Sequence, residues 1–145
     1  MRYTIISAIF ICLLFVGCKK DKYTSAPQLE YKSVNTTVLD KFQVLSFKLE
    51  FRDLEGDLDS IYIEKVTPNC PGSNFKDSTY LPEFPSTKKQ KGELIISYGY
   101  RVDGYPFIQE PSCSTNDTCY FRFVLRDKAD HISDTINSEK IVILK

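Results

Sequence analysis

Tryptophan is absent from this chain, methionine and histidine occur once each, and glycine appears only six times in 145 residues. A lone histidine, with no G-x-S-x-G around any serine, leaves a hydrolase triad without its parts. Excess charge of either sign is missing too: 19 Lys and Arg oppose 19 Asp and Glu. The basic footprint of a nucleic-acid binder is therefore not there. No CxxC pair occurs, so a structural zinc site lacks its usual ligand spacing. Gly99 and Gly104 do not form a phosphate-cradling loop. Ile5 to Val16 is apolar apart from Ser7 but falls well short of the roughly 20 residues a spanning helix needs. Disorder is excluded by composition, with 42% hydrophobic residues, ten Phe and nine Tyr. A chain of this length holds one modest core, not a multidomain enzyme.

What is present begins with an address. Met1-Arg2 gives a positive start, the apolar stretch follows, and Leu14-Phe15-Val16-Gly17-Cys18 leads into Lys19-Lys20-Asp21-Lys22. A small residue directly before a cysteine at the end of such a stretch resembles the lipobox of bacterial lipoproteins, with Phe15 where that family usually has Leu, Val or Ile. The resemblance implies that residues 1–17 are a cleaved signal peptide and that Cys18 is acylated and becomes the mature N-terminus. Two or three acyl chains, at about 0.8 kcal/mol per buried methylene, make a stable anchor. Lys19-Lys20-Asp21 resembles the short charged tract of Bacteroidota lipoproteins, which leaves both a surface-exposed and a periplasm-facing outer-membrane position open. Residues 18–28 read as the lipidated cysteine and a tether, since no hydrophobic periodicity runs through them.

Residues 29–145 read as strands. Leu45, Phe47, Leu49 and Phe51 alternate with Ser46, Lys48 and Glu50, the period-two pattern of a half-buried strand. Further strands are expected over 58–66, 93–102, 119–126 and 140–144, with a weak first one over 29–34 and a long connection from Thr67 to Gly92. No window repeats apolar residues at three-and-four spacing, so helices are not expected beyond the signal. The pattern predicts an all-β, single Ig-like or fibronectin-like β-sandwich. Phe51-Arg52-Asp53-Leu54-Glu55-Gly56-Asp57 resembles the F-x-D-x-E/D-G-D stretch of small Ig-like Bacteroidota lipoproteins. Asp127-Lys128-Ala129-Asp130-His131-Ile132-Ser133 resembles the turn before the last strand of bacterial Ig-like domains, with Asp130 and His131 in place of Gly and Asn. Both residues tolerate a left-handed turn better than most.

In such a topology the two loops lie at one end, gathering Asp53, Glu55, Asp57, Asp127 and Asp130, with His131 beside them. Hard cations want several oxygen ligands, and these acids make a candidate Ca²⁺ site. The plainer reading stands ahead of it: a tight turn whose acids cap backbone amides. An EF-hand is excluded, because the glycine is misplaced and a strand follows instead of a helix.

Cys70, Cys113 and Cys119 remain in the mature chain, which predicts one bridge and one odd thiol in an oxidising compartment. Cys70 is favoured as one partner, with a local Cys113–Cys119 loop as the rival. Ser60, Ser78 and Thr135 sit in Asp-Ser or Asp-Thr triplets that resemble Bacteroidota O-glycosylation sites, although chance Ser and Thr beside Asp account for them equally well. Tyr98, Tyr100, Tyr105 and Phe107 could stack on a glycan, against the favoured alternative of ordinary strand and core aromatics. The whole reading is a non-catalytic, lipid-anchored envelope module with a membrane, protein or glycan partner and no nucleic acid. A glycan-binding module of a nutrient-uptake or adhesion system is the alternative.

Overall fold

Nine strands in two facing sheets are seen in a computed structural model that describes residues 23–83, 85 and 87–145. They are β1 (Gln28–Val34), β2 (Val38–Leu39), β3 (Gln43–Asp53), β4 (Leu58–Val66), β5 (Phe75–Tyr80), β6 (Gln90–Tyr100), β7 (Asp117–Asp127), β8 (Ile136–Asn137) and β9 (Ile141–Ile143). One sheet has the order β1-β3-β6; the other runs β2-β9-β7-β4-β5, with β8 on the same edge of β7 as β9. All pairings between these strands are antiparallel except β2 with β9. This is an Ig-like β-sandwich, as the alternation predicts. Apart from the three-residue turn Pro71–Ser73, no helix occurs among the described residues, and none is long and apolar enough to cross a membrane. The expected signal peptide and the candidate lipidation residue Cys18 lie outside the described residues.

Alternation fixes which side chains fill the space between the sheets. On β3, Leu45, Phe47 and Leu49 are fully buried; on β7, Cys119, Phe121, Phe123 and Leu125 face them. Phe47 packs its ring 4.7 Å from Phe121 and 5.1 Å from Phe123, so one aromatic of the first sheet bridges two of the second. Gly92, beside Phe51 in the β3–β6 ladder, leaves the space that ring occupies. A Cβ there would sit 2.7 Å from the Phe51 ring.

The long connection expected between 67 and 92 contains a strand that the sequence does not advertise. In β5 only Phe75 is a partly buried apolar residue, and four of its six positions are exposed. An edge strand paired on one side needs no apolar stripe, so periodicity passes over it. The same outlook explains β6 beginning at Gln90, three residues before the expected start at Glu93.

One inward position on β4 is charged. Lys65 continues the Ile61, Ile63 face, and its Nζ lies 2.6 Å from Asp117 Oδ2 with both side chains at 0% exposure. Nζ also donates to the Ser73 carbonyl at 3.2 Å, while Asp117 Oδ1 has no hydrogen-bond partner. The pair lies at the end of the sandwich that also holds the Cys70–Cys113 disulfide. Cα atoms of that bridge are 5.7 Å apart.

Candidate metal centre at the loop end

Asp53 closes β3, Asp57 directly precedes β4, and Asp127 closes β7 opposite Leu58. The two turns therefore meet where the strands end, and each of the three residues has a carboxylate oxygen within 4.8 Å of the others. Asp53 is fully buried and Asp127 is 1% exposed. Part of their work is turn chemistry, as the plainer reading expects. Asp53 Oδ2 accepts the Gly56 and Asp57 amides at 2.6 and 3.0 Å. Asp127 Oδ1 accepts the amides of Ala129 and His131 at 2.9 and 2.8 Å. Gly56 adopts φ +74°, and a Cβ there would run into the Thr87 carbonyl, so the turn needs glycine on two counts.

Turn capping does not use every oxygen. Asp53 Oδ1 and Asp57 Oδ1 are buried and accept no hydrogen bond. A buried carboxylate oxygen without a partner is costly, and three carboxylates this close repel one another. Burial, followed by the Asp127 and Asp53 charges, holds the Asp57 carboxyl above its ordinary range. The donor set is oxygen only, which suits a hard divalent cation completing its shell with water or carbonyls.

Glu55 and Asp130 are not part of the cluster. Glu55 is exposed at the turn tip. Asp130 adopts φ +66°, the left-handed conformation expected there, and this turns its side chain out to Arg126 Nη1 at 3.4 Å. Three of the five candidate ligands are thus assembled, and two are corrected to surface positions. Asp59, two residues beyond Asp57, pairs with Arg126 at 3.1 Å; that guanidinium, with Ser60, holds its carboxyl below the ordinary range.

His131 Nδ1 lies 2.9 Å from Asp127 Oδ2. That hydrogen bond and the Asp127 charge raise the imidazole pKa above its ordinary value. Because the folded value is the higher one, the stabilisation is fully present below the unfolded pKa of about 6.5 and is lost as pH rises through the folded pKa. In cation-free buffer the single histidine titrates above 6.5 by NMR, and Asp127→Asn returns it toward about 6.5. An unchanged midpoint in the variant refutes the pairing.

The remaining candidates are distributed as follows. Cys70 bridges Cys113, and Cys119 is a buried free thiol whose pKa burial pushes up to about 12. The local Cys113–Cys119 loop is thereby corrected: Cys119 points into the core and donates to the Ile141 carbonyl. Tyr98 and Tyr100 are corrected from stacking candidates to core residues, 2% and 0% exposed, their hydroxyls donating to Asp77 and to the Leu144 carbonyl. Tyr105 and Phe107 are exposed, as is Phe42 in a positive-φ turn that periodicity does not single out. Ser60 is buried, its hydroxyl held by Asp59, so it is no sugar acceptor in the folded chain; Ser78 and Thr135 are exposed. Beside Thr135 a hollow of about 320 Å³ is lined by Tyr62, Glu64, Lys76 and Arg122.

No protein-family model and no curated protein matches the chain. Among solved structures, Spo0M, a sporulation control protein from Bacillus subtilis, aligns with TM-score 0.48 and 5% identity. The alignment covers 84% of this chain and 51% of that one, so the chain spans about half the length of this neighbour.

Proposed function

We propose that this is a lipid-anchored cell-envelope protein of the outer membrane, in which an Ig-like module acts by binding and not by catalysis. Cys18 carries the acyl chains, residues 19–28 are the tether, and the loop end built from Asp53, Asp57 and Asp127 holds a divalent cation. Ca²⁺ is the ion best suited to an all-oxygen set of this kind. The carrying observation is the pair of buried, unpartnered oxygens on Asp53 and Asp57 within that cluster. Turn capping alone explains the acids' backbone contacts but leaves these atoms unsatisfied, and a cation satisfies both. The glycan-binding alternative has less support, because two of its four rings are core residues.

The test is a thermal melt of the detergent-solubilised lipoprotein with millimolar Ca²⁺, then with excess chelator. Cation at about 100 times its dissociation constant adds about 2.7 kcal/mol, which raises the melting temperature by several degrees for a domain of this size. Asp57→Asn is expected to remove the rise. Equal melting temperatures with and without the ion would reduce the cluster to turn chemistry.

A further inference from the structure

The edge strands of the two sheets are finished in different ways. β1 carries a register shift between Tyr31 and Ser33, β2 is two residues long, and β5 turns the charged Asp77 inward. Such devices keep a sheet from adding a foreign strand. β6 lacks them over its later half. Its pairing with β3 runs from Gln90 to Tyr100 without a shift or a proline. Lys91 and Glu93 charge its first residues, but Leu94 to Tyr100 carries no charge.

A short piece of chain already pairs with this edge. The Gly99 amide donates to the Pro106 carbonyl at 2.8 Å, and the Ile108 amide donates to the Gly99 carbonyl at 2.9 Å. Gly99 thus directs both backbone groups away from β3. By the alternation of an antiparallel ladder, Ser97, Ile95 and Glu93 do the same. Those groups have no backbone partner among the described residues. The self-pairing stops at this point because Pro106 has no N–H to give the Ser97 carbonyl.

Beside the open stretch, β5 and β6 leave a groove of about 200 Å³ lined by Ile63, Asp77, Thr79, Ile96, Tyr98 and Pro106. A strand laid along Glu93–Ser97 sends the side chain opposite Ile96 into this groove. Its neighbours, opposite Ile95 and Ser97, stay on the outer face. Asp77 accepts the Tyr98 hydroxyl at 3.2 Å but has no cationic partner among the described residues. A lysine or arginine suits the groove, with its stem along Ile63 and Ile96 and its charge at Asp77. On the outer face Ile95 and Phe107, 61% and 59% exposed, offer apolar contact to the flanking residues.

We infer that the free edge of β6 binds an extended peptide segment of a partner protein by strand addition over Glu93–Ser97, the segment reading apolar–basic–apolar with its basic side chain at Asp77. The inference goes beyond the anchor and cation reading and uses neither. A second copy of this chain is the poorer occupant, because the inward positions of its own β6, Gly92, Leu94, Ile96 and Tyr98, include no basic residue.

The test measures fluorescence anisotropy of labelled, capped peptides Thr-Val-X-Val-Thr, with X varied, against the detergent-solubilised full-length protein. Lys or Arg at X is expected to bind about tenfold tighter than Glu or Leu, and Asp77→Asn is expected to erase that preference. Methylating the backbone nitrogens of alternate peptide residues is expected to abolish binding in one frame and to spare it in the other. Ile95→Pro removes an outward N–H that the β3 ladder does not use, and is expected to weaken binding about tenfold. The methylated peptides keep the test valid on wild-type protein should that variant not fold. Equal effects of the two methylation frames overturn strand addition. A basic preference that survives Asp77→Asn overturns the assigned register. Absence of binding by every peptide at millimolar concentration overturns the whole inference, and a dimer that excludes the peptides gives the edge to a second copy instead.

Discussion

Lys65→Ala is expected to lower the unfolding free energy by about 3–5 kcal/mol, as removal of one partner from a buried ion pair typically does. The alanine leaves Asp117 fully buried with its charge uncompensated, and one oxygen of that carboxylate already lacks a hydrogen bond. It also frees the Ser73 carbonyl that Nζ holds beside the disulfide. The contrast that isolates the cause is Lys65→Met with Asp117→Leu, which removes both charges and keeps most of the volume. Buried pairs replaced in this way are often neutral or gain about 1–4 kcal/mol. Chemical denaturation of the three proteins decides the matter. A double variant as unstable as Lys65→Ala would show that packing of the lysine stem, not the unpaired charge, sets the loss.

Phe47→Ala is expected to cost about 3–5 kcal/mol, the usual range for emptying a buried aromatic position. Its ring is fully buried and lies against Phe121 and Phe123 of the opposite sheet. Ile95, 61% exposed on the neighbouring β6, is the control; its alanine variant is expected within about 0.5 kcal/mol of the parent. A Phe47→Ala loss no larger than the control's would mean that the two sheets are not held through this contact.

These two sites differ in how far the sequence discloses them. Phe47 stands in an unbroken alternation from Leu45 to Phe51, and period two alone places it inside. Lys65 has the same parity as Ile61 and Ile63, yet a lysine reads as surface until its counter-ion is known. Asp117 lies 52 residues away in the sequence. The acidic end occupies a middle ground. Topology brings two sequence turns together, and the cluster of Asp53, Asp57 and Asp127 follows from strand ends. Which acids turn inward depends on backbone dihedrals at Gly56 and Asp130, and composition does not carry those. Cys70–Cys113 was one of the pairings left open; β7 settles the choice by pointing Cys119 into the core. β5 was hidden for the opposite reason, since an edge strand with a single inward apolar residue has no period to detect.

Burial of Cys119 also imposes an order of events. In an unfolded chain, closing a short loop costs less entropy than closing a long one, so Cys113 meets Cys119 more readily than it meets Cys70, 43 residues distant. Wherever the chain is oxidised before it folds, the nearer thiol is the faster partner and the wrong one. The native bridge is reached directly only when β7 has already settled against β3 and taken Cys119 out of reach. Otherwise the bond must be exchanged afterwards by attack of a free thiolate. One inward-facing sulfur thus makes correct cross-linking a consequence of sheet assembly and not its cause.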